Sequence, residues 1–477
     1  MTSKLQLIFI STPLIGHLVP TVEFARHLLH HHPRFSATIL LINMPEWPIL
    51  NTYAQSISAT EKNIHFIQLP TVDPPTQDQF QSSMGYISLL IHKHKSHVKH
   101  AVISDLVGTE SAFESPNGVA GLFVDMFCTS MIDVANELGI PCYLFFQSTA
   151  AFFGFMIDLP ILNPQLVTGF SDSNTELSFR SFRNSVPRLV LPTTVLEGGD
   201  GCSWFVQHAK RYTETKGIVV NTFKELESYA VNSICTDGVP KVYPIGPVLD
   251  LNGSSHWQPD QAHVETVIRW LEGQATSSVV FLCFGSMGSL SGAQVKEIAV
   301  GLERSGFRFL WSVREPPKTK RDLPSDYVSL NDALPNGFLE RTAEMGLVCG
   351  WVPQVTILAH QAIGGFVSHC GWNSILESLW YGVPIATWPI YAEQQLNAFE
   401  MVKELRLAVE IRLDYREGSG LVLAEEVERG IKKLMEDDEE VRRKAKEMRD
   451  KSRMALMENG SSMVALASLV EELLTVN

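Results

Sequence analysis

The 477-residue sequence has no CxxC pair, no Walker GxxxxGK[ST] segment and no GxGxxG after its first strand-like run. Its seven cysteines (Cys128, Cys142, Cys202, Cys235, Cys283, Cys349 and Cys370) are odd in number and widely spaced. That excludes a zinc site built on paired cysteines and a secreted disulfide framework, and it points to a reducing compartment. The missing phosphate-binding fingerprints weigh against a dehydrogenase and a P-loop enzyme. FGSMG (284–288) also falls short of a hydrolase nucleophile elbow, because Phe284 stands where the strained turn needs glycine. No uninterrupted apolar stretch of about 20 residues occurs, so no spanning helix and no membrane partner are expected. Positive charge is short as well: 38 Lys+Arg against 52 Asp+Glu leave −14. A nucleic-acid partner would want a basic stripe, so none is expected. An anionic ligand must be held here by something other than a field of lysines.

What is present is an ordinary globular composition, 45% hydrophobic and 19% charged, over a length that suits two or three domains. The opening MTSKLQLIFISTPLIGHLVP is broken by Pro13, Gly16 and His17 and closes on no small-residue cleavage site. It reads as a first β-strand rather than a signal peptide, and a cytoplasmic, monomeric protein is expected. Short apolar runs then alternate with helical patterns. LQLIFI, ATILLI, NIHFIQL, GLFVDM, PCYLFF and GIVVNTF read as strands in the first half, and SVVFLCFG, FRFLWSV, GLVCG, GGFVSH and VPIATWP in the second. Strands apolar on both faces and spaced by helices predict parallel sheets covered on each side, hence two doubly wound α/β units.

Residues 1–250 are expected to form the first domain, 251–262 a linker, 263–455 the second domain and 456–477 a last helix. The stretch 314–332 is too long for an ordinary connection and reads as a surface loop. The charged run from Ala424 to Arg453 reads as a pair of solvated helix faces. Two histidine clusters (His27, His30, His31 and His32; His92, His94, His97 and His100) lie beside lysines with no acidic neighbour in sequence. They read as solvated surface, and no metal site is expected.

The informative segment is WVPQVTILAHQAIGGFVSHCGWNSILESLWYGVPIATWPIYAEQ, from Trp351 to Gln394. Within it a glycine-containing strand ends at His369, turns through Gly371 and opens a helix at Asn373 and Ser374. A helix N-terminus offers backbone N–H groups and the positive end of its dipole, an anion site that needs no lysine. His369, Asn373 and Ser374 add side-chain donors, Glu377 can accept from a ribose diol, and Trp351 can present a flat face to a base. A plain strand–turn–helix with core tryptophans fits the same residues.

The segment resembles, over its full length, the signature box of the plant secondary-product UDP-glycosyltransferases, which opens WxPQ, carries HCGWNS and ends [DE]Q. The likeness extends to GHLVP, FGSMGS and YAEQQLNAF, and is to the branch that glucosylates flavonoids and triterpenoids. It implies the GT-B fold, two facing Rossmann-like doubly wound domains with a cleft between them, the last helix crossing back onto the first domain. It implies a diphosphate held by His369, Asn373, Ser374 and Ser286. Trp351 would stack on uracil, the Val352 backbone would hold the base edge, and Gln354 and Glu377 would hold the ribose. Trp372, Glu393 and Gln394 would contact the sugar, the terminal glutamine favouring glucose.

The resemblance also makes His17 the general base and Asp125 the acid that orients it, although a lone histidine after a strand also reads as structural. An Asp inside the apolar GLFVDMF independently asks for a partner, because burying it unpaired is costly. The implied reaction is inverting transfer of glucose from UDP-glucose to a hydroxyl of a small hydrophobic acceptor, with no tightly bound cofactor and no metal. Met126, Phe127, Phe145, Ser148, Phe152 and Phe153 are candidates for the acceptor pocket, with Met287 and Tyr391 from the second domain. Each apolar one reads equally as core. A nucleotide-sugar epimerase or hydrolase on the same plan, or a non-catalytic UDP-sugar-binding protein, are the alternatives.

Overall fold

The computed structural model describes residues 4–44, 49–107, 118–168, 175–251, 261–318, 323–416, 418, 420–437 and 439–475. The chain divides into two compact units. One comprises Met1–Arg183, Thr194–Asp250 and Met454–Asn477, the other Asn184–Thr193 and Leu251–Arg453. Most of the expected linker lies outside the described residues.

In the first unit the strands are β1 (Leu5–Ile10), β2 (Phe35–Leu41), β3 (Ile64–Gln68), β4 (Val119–Asp125) and β5 (Cys142–Phe146). The short strand β6 (Glu176–Leu177) follows, then β7 (Val186–Pro187), which lies in the Asn184–Thr193 segment of the other unit, and the first unit closes with β8 (Gly217–Val220) and β9 (Lys241–Pro244). Seven of these make one sheet in the order β3-β2-β1-β4-β5-β8-β9, and its described pairings are parallel. Every residue of β2 and β4 is buried, the mark of a sheet covered on both faces. The Ser461–Thr475 helix packs into this unit's core through Leu466, Leu469, Val470 and Leu473. Its Glu472 accepts hydrogen bonds from the hydroxyls of Tyr143 and Tyr243.

The second unit holds β10 (Val279–Cys283), β11 (Arg308–Ser312), β12 (Gly346–Cys349), β13 (Ile363–Ser368), β14 (Ile385–Thr387) and β15 (Ala408–Glu410). They form a parallel sheet in the order β12-β11-β10-β13-β14-β15. Arg416 ties the separate Asn184–Thr193 segment to this unit, its Nη1 donating to the Leu189 carbonyl at 2.7 Å and its Nε to Thr193 Oγ1 at 2.9 Å.

Both sheets are doubly wound. The strand order reverses between β1 and β4 in one and between β10 and β13 in the other, and the carboxyl ends at such switch points are where these sheets bind ligands. Within the 314–332 stretch Glu315 and Ser325 pair in an antiparallel bridge, and Leu330–Asp332 forms a 3₁₀ turn. The charged run folds as the helices Ala424–Lys432 and Glu439–Ala455, whose Val427, Ile431 and Ala445 face the core.

The histidine clusters are not all solvated. His94 is fully buried, its Nδ1 donating to the Leu90 carbonyl at 2.8 Å, and burial lowers its pKa. Helical spacing turned this ring inward and left His27 half-buried, while His92 and His100 are exposed. Among the described residues no group of three or more His, Cys, Asp or Glu is placed to hold a metal ion. No helix of the described residues is long and apolar enough to cross a membrane.

Candidate active site

At the first switch point the Ile15–His31 helix starts after a four-residue connection from β1, and His17 sits in its first turn. Asp125 is the last residue of β4, on the neighbouring strand, in the register Ile10↔Val124. The two ends therefore converge, and His17 Nδ1 lies 2.8 Å from Asp125 Oδ2. The carboxylate is wholly buried, whereas the His17 side chain keeps 21% exposure. Oδ1 of Asp125 accepts from the Thr12 hydroxyl and, at 3.0 Å, from the Phe127 N–H. With donors on the other oxygen, the carboxylate acts as acceptor and Nδ1 of His17 as the proton donor. The imidazole is thus held in the tautomer whose Nε2 carries the lone pair. Thr12 and the Phe127 amide were not anticipated from sequence; the polar Thr12 closing an apolar strand was the available signal.

Of the expected acceptor-pocket residues in this unit, Phe127 is half-buried, with its ring 5.8 Å from that of His17 and stacked 5.8 Å from Phe205. Met126, Ser148 and Phe152 are buried at the same end of the sheet. Phe145 is placed in the core instead, 4.7 Å from Phe24. Phe153 is fully buried against Phe146 and Tyr212. Behind Phe127 lies His208, unforeseen in the sequence, between the hydroxyls of Ser88 at 3.0 Å and Thr129 at 2.8 Å. Burial lowers its pKa to about 3, so it is neutral.

At the second switch point β13 runs into His369, Cys370 adopts a φ of +63°, and Gly371 caps the Trp372–Tyr381 helix. The helical ladder begins where the Ile375 N–H donates to the Gly371 carbonyl at 3.1 Å. The amides of Trp372, Asn373 and Ser374 precede it, at the positive end of the dipole. His369 is buried, and burial lowers its pKa to about 4, so the ring is neutral. Its Nδ1 has no hydrogen-bond partner among the described residues. The ring is held between two glycines: a Cβ on Gly285 (φ +78°) would stand 2.7 Å from Nε2, and one on Gly371 2.5 Å from it. Gly285 belongs to the turn after β10, beside the half-buried Ser286 and Met287.

Around this helix start the rest of the box assembles. Gln354 Nε2 donates to Ser374 Oγ at 2.8 Å and to Glu377 Oε2 at 2.6 Å. Gln354 Oε1 is buried without a partner among the described residues. Trp351 is half-buried and follows β12, and Val352 is buried. The Trp372 side chain is buried, so what its position presents is backbone. Gln394 is buried, and its Oε1 accepts from the N–H groups of Ile390 (2.9 Å) and Tyr391 (3.0 Å). That orients the Gln394 amide so that its NH₂ is the end left to donate. Glu393 is half-buried beside it, and Tyr391 is 37% exposed, its ring 6.5 Å from His369.

Two doubly wound sheets, one ending in a His–Asp pair and the other in a helix N-terminus beside a buried histidine and a half-buried tryptophan, have the plan of a GT-B nucleotide-sugar transferase. The profile of the family "UDP-glucoronosyl and UDP-glucosyl transferase" matches residues 35–449. The chain is 54% identical to UDP-glycosyltransferase 43 of Pueraria montana var. lobata, over 99% of each chain. It is 47% identical to UDP-glucose flavonoid 3-O-glucosyltransferase 6 of Fragaria ananassa, over the whole of both. The crystal structure of Medicago truncatula UGT71G1 complexed with UDP-glucose superposes with a TM-score of 0.88 at 42% identity, over 98% of each chain. The chain therefore belongs to the UDP-glycosyltransferase family. Relatives with transferase names at this identity do not favour an epimerase, a hydrolase or a non-catalytic binder.

Proposed function

We propose that the enzyme transfers glucose from UDP-glucose to a hydroxyl of a small hydrophobic acceptor (a flavonoid, another phenolic or a triterpenoid), with inversion to a β-glucoside. The first unit is assigned the acceptor and the second the donor. The observation that carries the reading is the His17–Asp125 pair, whose hydrogen-bond pattern leaves Nε2 of a partly exposed imidazole as a base. In the reaction Nε2 takes the acceptor's hydroxyl proton as that oxygen bonds to the anomeric carbon. The bond from that carbon to the diphosphate breaks, and its electron pair leaves with UDP. Asp125 holds the tautomer and stabilises the imidazolium. A phenol starts near pKa ~10, within reach of such a base.

For the donor, Trp351 is assigned to uracil, the Val352 backbone to the base edge, and Gln354 and Glu377 to the ribose. His369, Asn373, Ser374 and Ser286 are assigned to the diphosphate, and the Trp372 backbone, Glu393 and Gln394 to the sugar. The unpartnered Gln354 Oε1 and His369 Nδ1 support a polar ligand there. Developing charge on UDP is met by the helix N-terminus and His369, a design that calls for no divalent ion. Phe127 is the acceptor-facing ring best supported, with Met126, Ser148 and Phe152 of the same unit completing the proposed lining on that side. Seven free cysteines, one of them the exposed Cys235, support a reducing, cytoplasmic setting, and the monomer is taken as the working unit. A mass-spectrometric screen crossing several UDP-sugars with flavonoids, simple phenols, triterpenoids and small alcohols tests the reading. It predicts mono-glucosides, undiminished by EDTA, with the β-anomer identified by NMR; turnover that collapses with EDTA and returns with magnesium contradicts it.

A further inference from the structure

The amide of Trp351, the residue assigned to the base, does not join a strand ladder. It donates to Oδ1 of Asp326 at 3.0 Å, across 25 residues of sequence. The same oxygen lies 3.0 Å from Nε of Arg314, a residue only 6% exposed. Arg314 also donates through Nη2 to the Pro324 carbonyl. Two backbone hydrogen bonds between Glu315 and Ser325, at 2.7 and 3.2 Å, pinch the chain together and deliver Asp326 to this spot. The neighbouring strands are fixed independently: Val313 N–H donates to the Cys349 carbonyl at 2.9 Å and Ser312 Oγ to the Gly350 carbonyl at 2.9 Å. Gly350 leaves the space the carboxylate occupies, since a Cβ there would stand 2.4 Å from Asp326 Oδ2.

These contacts serve one point of the chain, the exit from β12 where the indole is set. We propose that Asp326 is a positioning residue for nucleotide binding: clamped by buried Arg314, it fixes the Trp351 backbone and so the plane on which the nucleotide base stacks. The proposal rests on the assignment of Trp351 to the base. The Trp351 amide is held by Asp326, itself 55% exposed and 3.0 Å from Arg314 Nε, so donor affinity depends on a residue outside the 351–394 box. The interaction concerns the bound nucleotide in ground state and transition state alike, so its loss raises KM without lowering kcat.

The test measures kcat and KM for UDP-glucose and calorimetric binding of UDP in Asp326→Ala, Asp326→Asn and Trp351→Ala, with inorganic pyrophosphate as a base-free probe. Asp326→Ala is expected to raise KM and the UDP Kd roughly tenfold, the scale of a lost charge-assisted hydrogen bond, with kcat within about twofold and pyrophosphate binding unchanged. Asp326→Asn keeps an oxygen for the Trp351 N–H but loses the ion pair, so it falls between, and it carries the test should the alanine variant fail to fold. Unchanged UDP affinity in both Asp326 variants, with Trp351→Ala weakened, overturns the positioning role alone. Unchanged UDP affinity in Trp351→Ala overturns the base assignment beneath it. An equal loss of UDP and pyrophosphate in the Asp326 variants overturns the link to the base.

Discussion

His17 and Asp125, 108 residues apart in sequence, meet at 2.8 Å because one opens the helix after β1 and the other closes β4, neighbouring parallel strands at the point where the sheet reverses its order. The Thr12 hydroxyl and the Phe127 amide hold the far oxygen of Asp125. Asp125→Asn keeps the shape but can present an NH₂ to Nδ1, turning the imidazole to the tautomer with no lone pair on Nε2. Turnover should fall by roughly 10³–10⁴, as when a catalytic triad loses its tautomer control, while UDP binding by calorimetry stays at the wild-type value. Near-normal turnover contradicts the tautomer argument.

The helix that carries His17 is tied to the sheet by a second chain of contacts. Gln147 Nε2 donates to Thr21 Oγ1 at 2.8 Å, and Thr21 Oγ1 donates to the His17 carbonyl at 2.9 Å. Thr21→Val removes both while nearly keeping the volume. It leaves Gln147 without its acceptor, at a cost of about 1–3 kcal/mol. Urea unfolding should report that loss, and kcat should fall more than KM for the donor rises; Thr21→Ser should restore both.

Strand placement was largely readable in the sequence, because a parallel strand buried on both faces is an unbroken apolar run, as in VVFLC and VAGLFVD. β15 was not, since its three residues, AVE, are too few to form a pattern. The 351–394 box was legible because glycine, histidine and helix-start residues stand there at fixed spacing. Thr12, Gln147 and Asp326 were not, because their contacts cross 113, 126 and 25 residues and leave no local periodicity. Phe145 shows the ambiguity in the other direction: an aromatic at the end of an apolar strand fits core and pocket alike, and the packing against Phe24 places it in the core. His94 reads as polar surface from its lysine neighbours, yet its turn of helix faces inward.

Acid should destabilise the protein before carboxylate protonation dominates. Burial lowers the folded-state pKa of His27 to about 4, of His208 to about 3 and of His369 to about 4. Each takes a proton near pH ~6.5 once unfolded. The unfolded state therefore binds more protons, and the stability these groups leave intact above pH ~6.5 is lost as pH falls toward 4. Glu23 acts oppositely: burial raises it to about 7, so its cost grows as pH rises from ~4.5 to 7. These three histidines and one carboxyl together contribute a slope on the order of 2–3 kcal/mol per pH unit near pH 5.5, and His94, also lowered by burial, acts in the same sense as the other histidines. Urea midpoints at pH 7, 6 and 5 should drop accordingly; a flat series contradicts the buried neutral histidines.

Gly285 is required by its φ of +78° and by the His369 ring beside it. Gly285→Ala should cost about 1–3 kcal/mol in backbone strain and displace the imidazole from the anion cradle. Weaker UDP binding, with acceptor KM unchanged at saturating donor, is the expected signature. Unaltered UDP affinity in a folded variant would remove His369 from the diphosphate site.

His17 is proposed as the base that activates the acceptor. That role is tested most directly by steady-state glucosylation of a phenol by His17→Ala, with UDP affinity measured on the same preparation. With His17 as the base, kcat is expected to fall roughly 10²–10⁴-fold, the range for a lost general base, with UDP affinity intact. Wild-type turnover by a His17→Ala protein would contradict it.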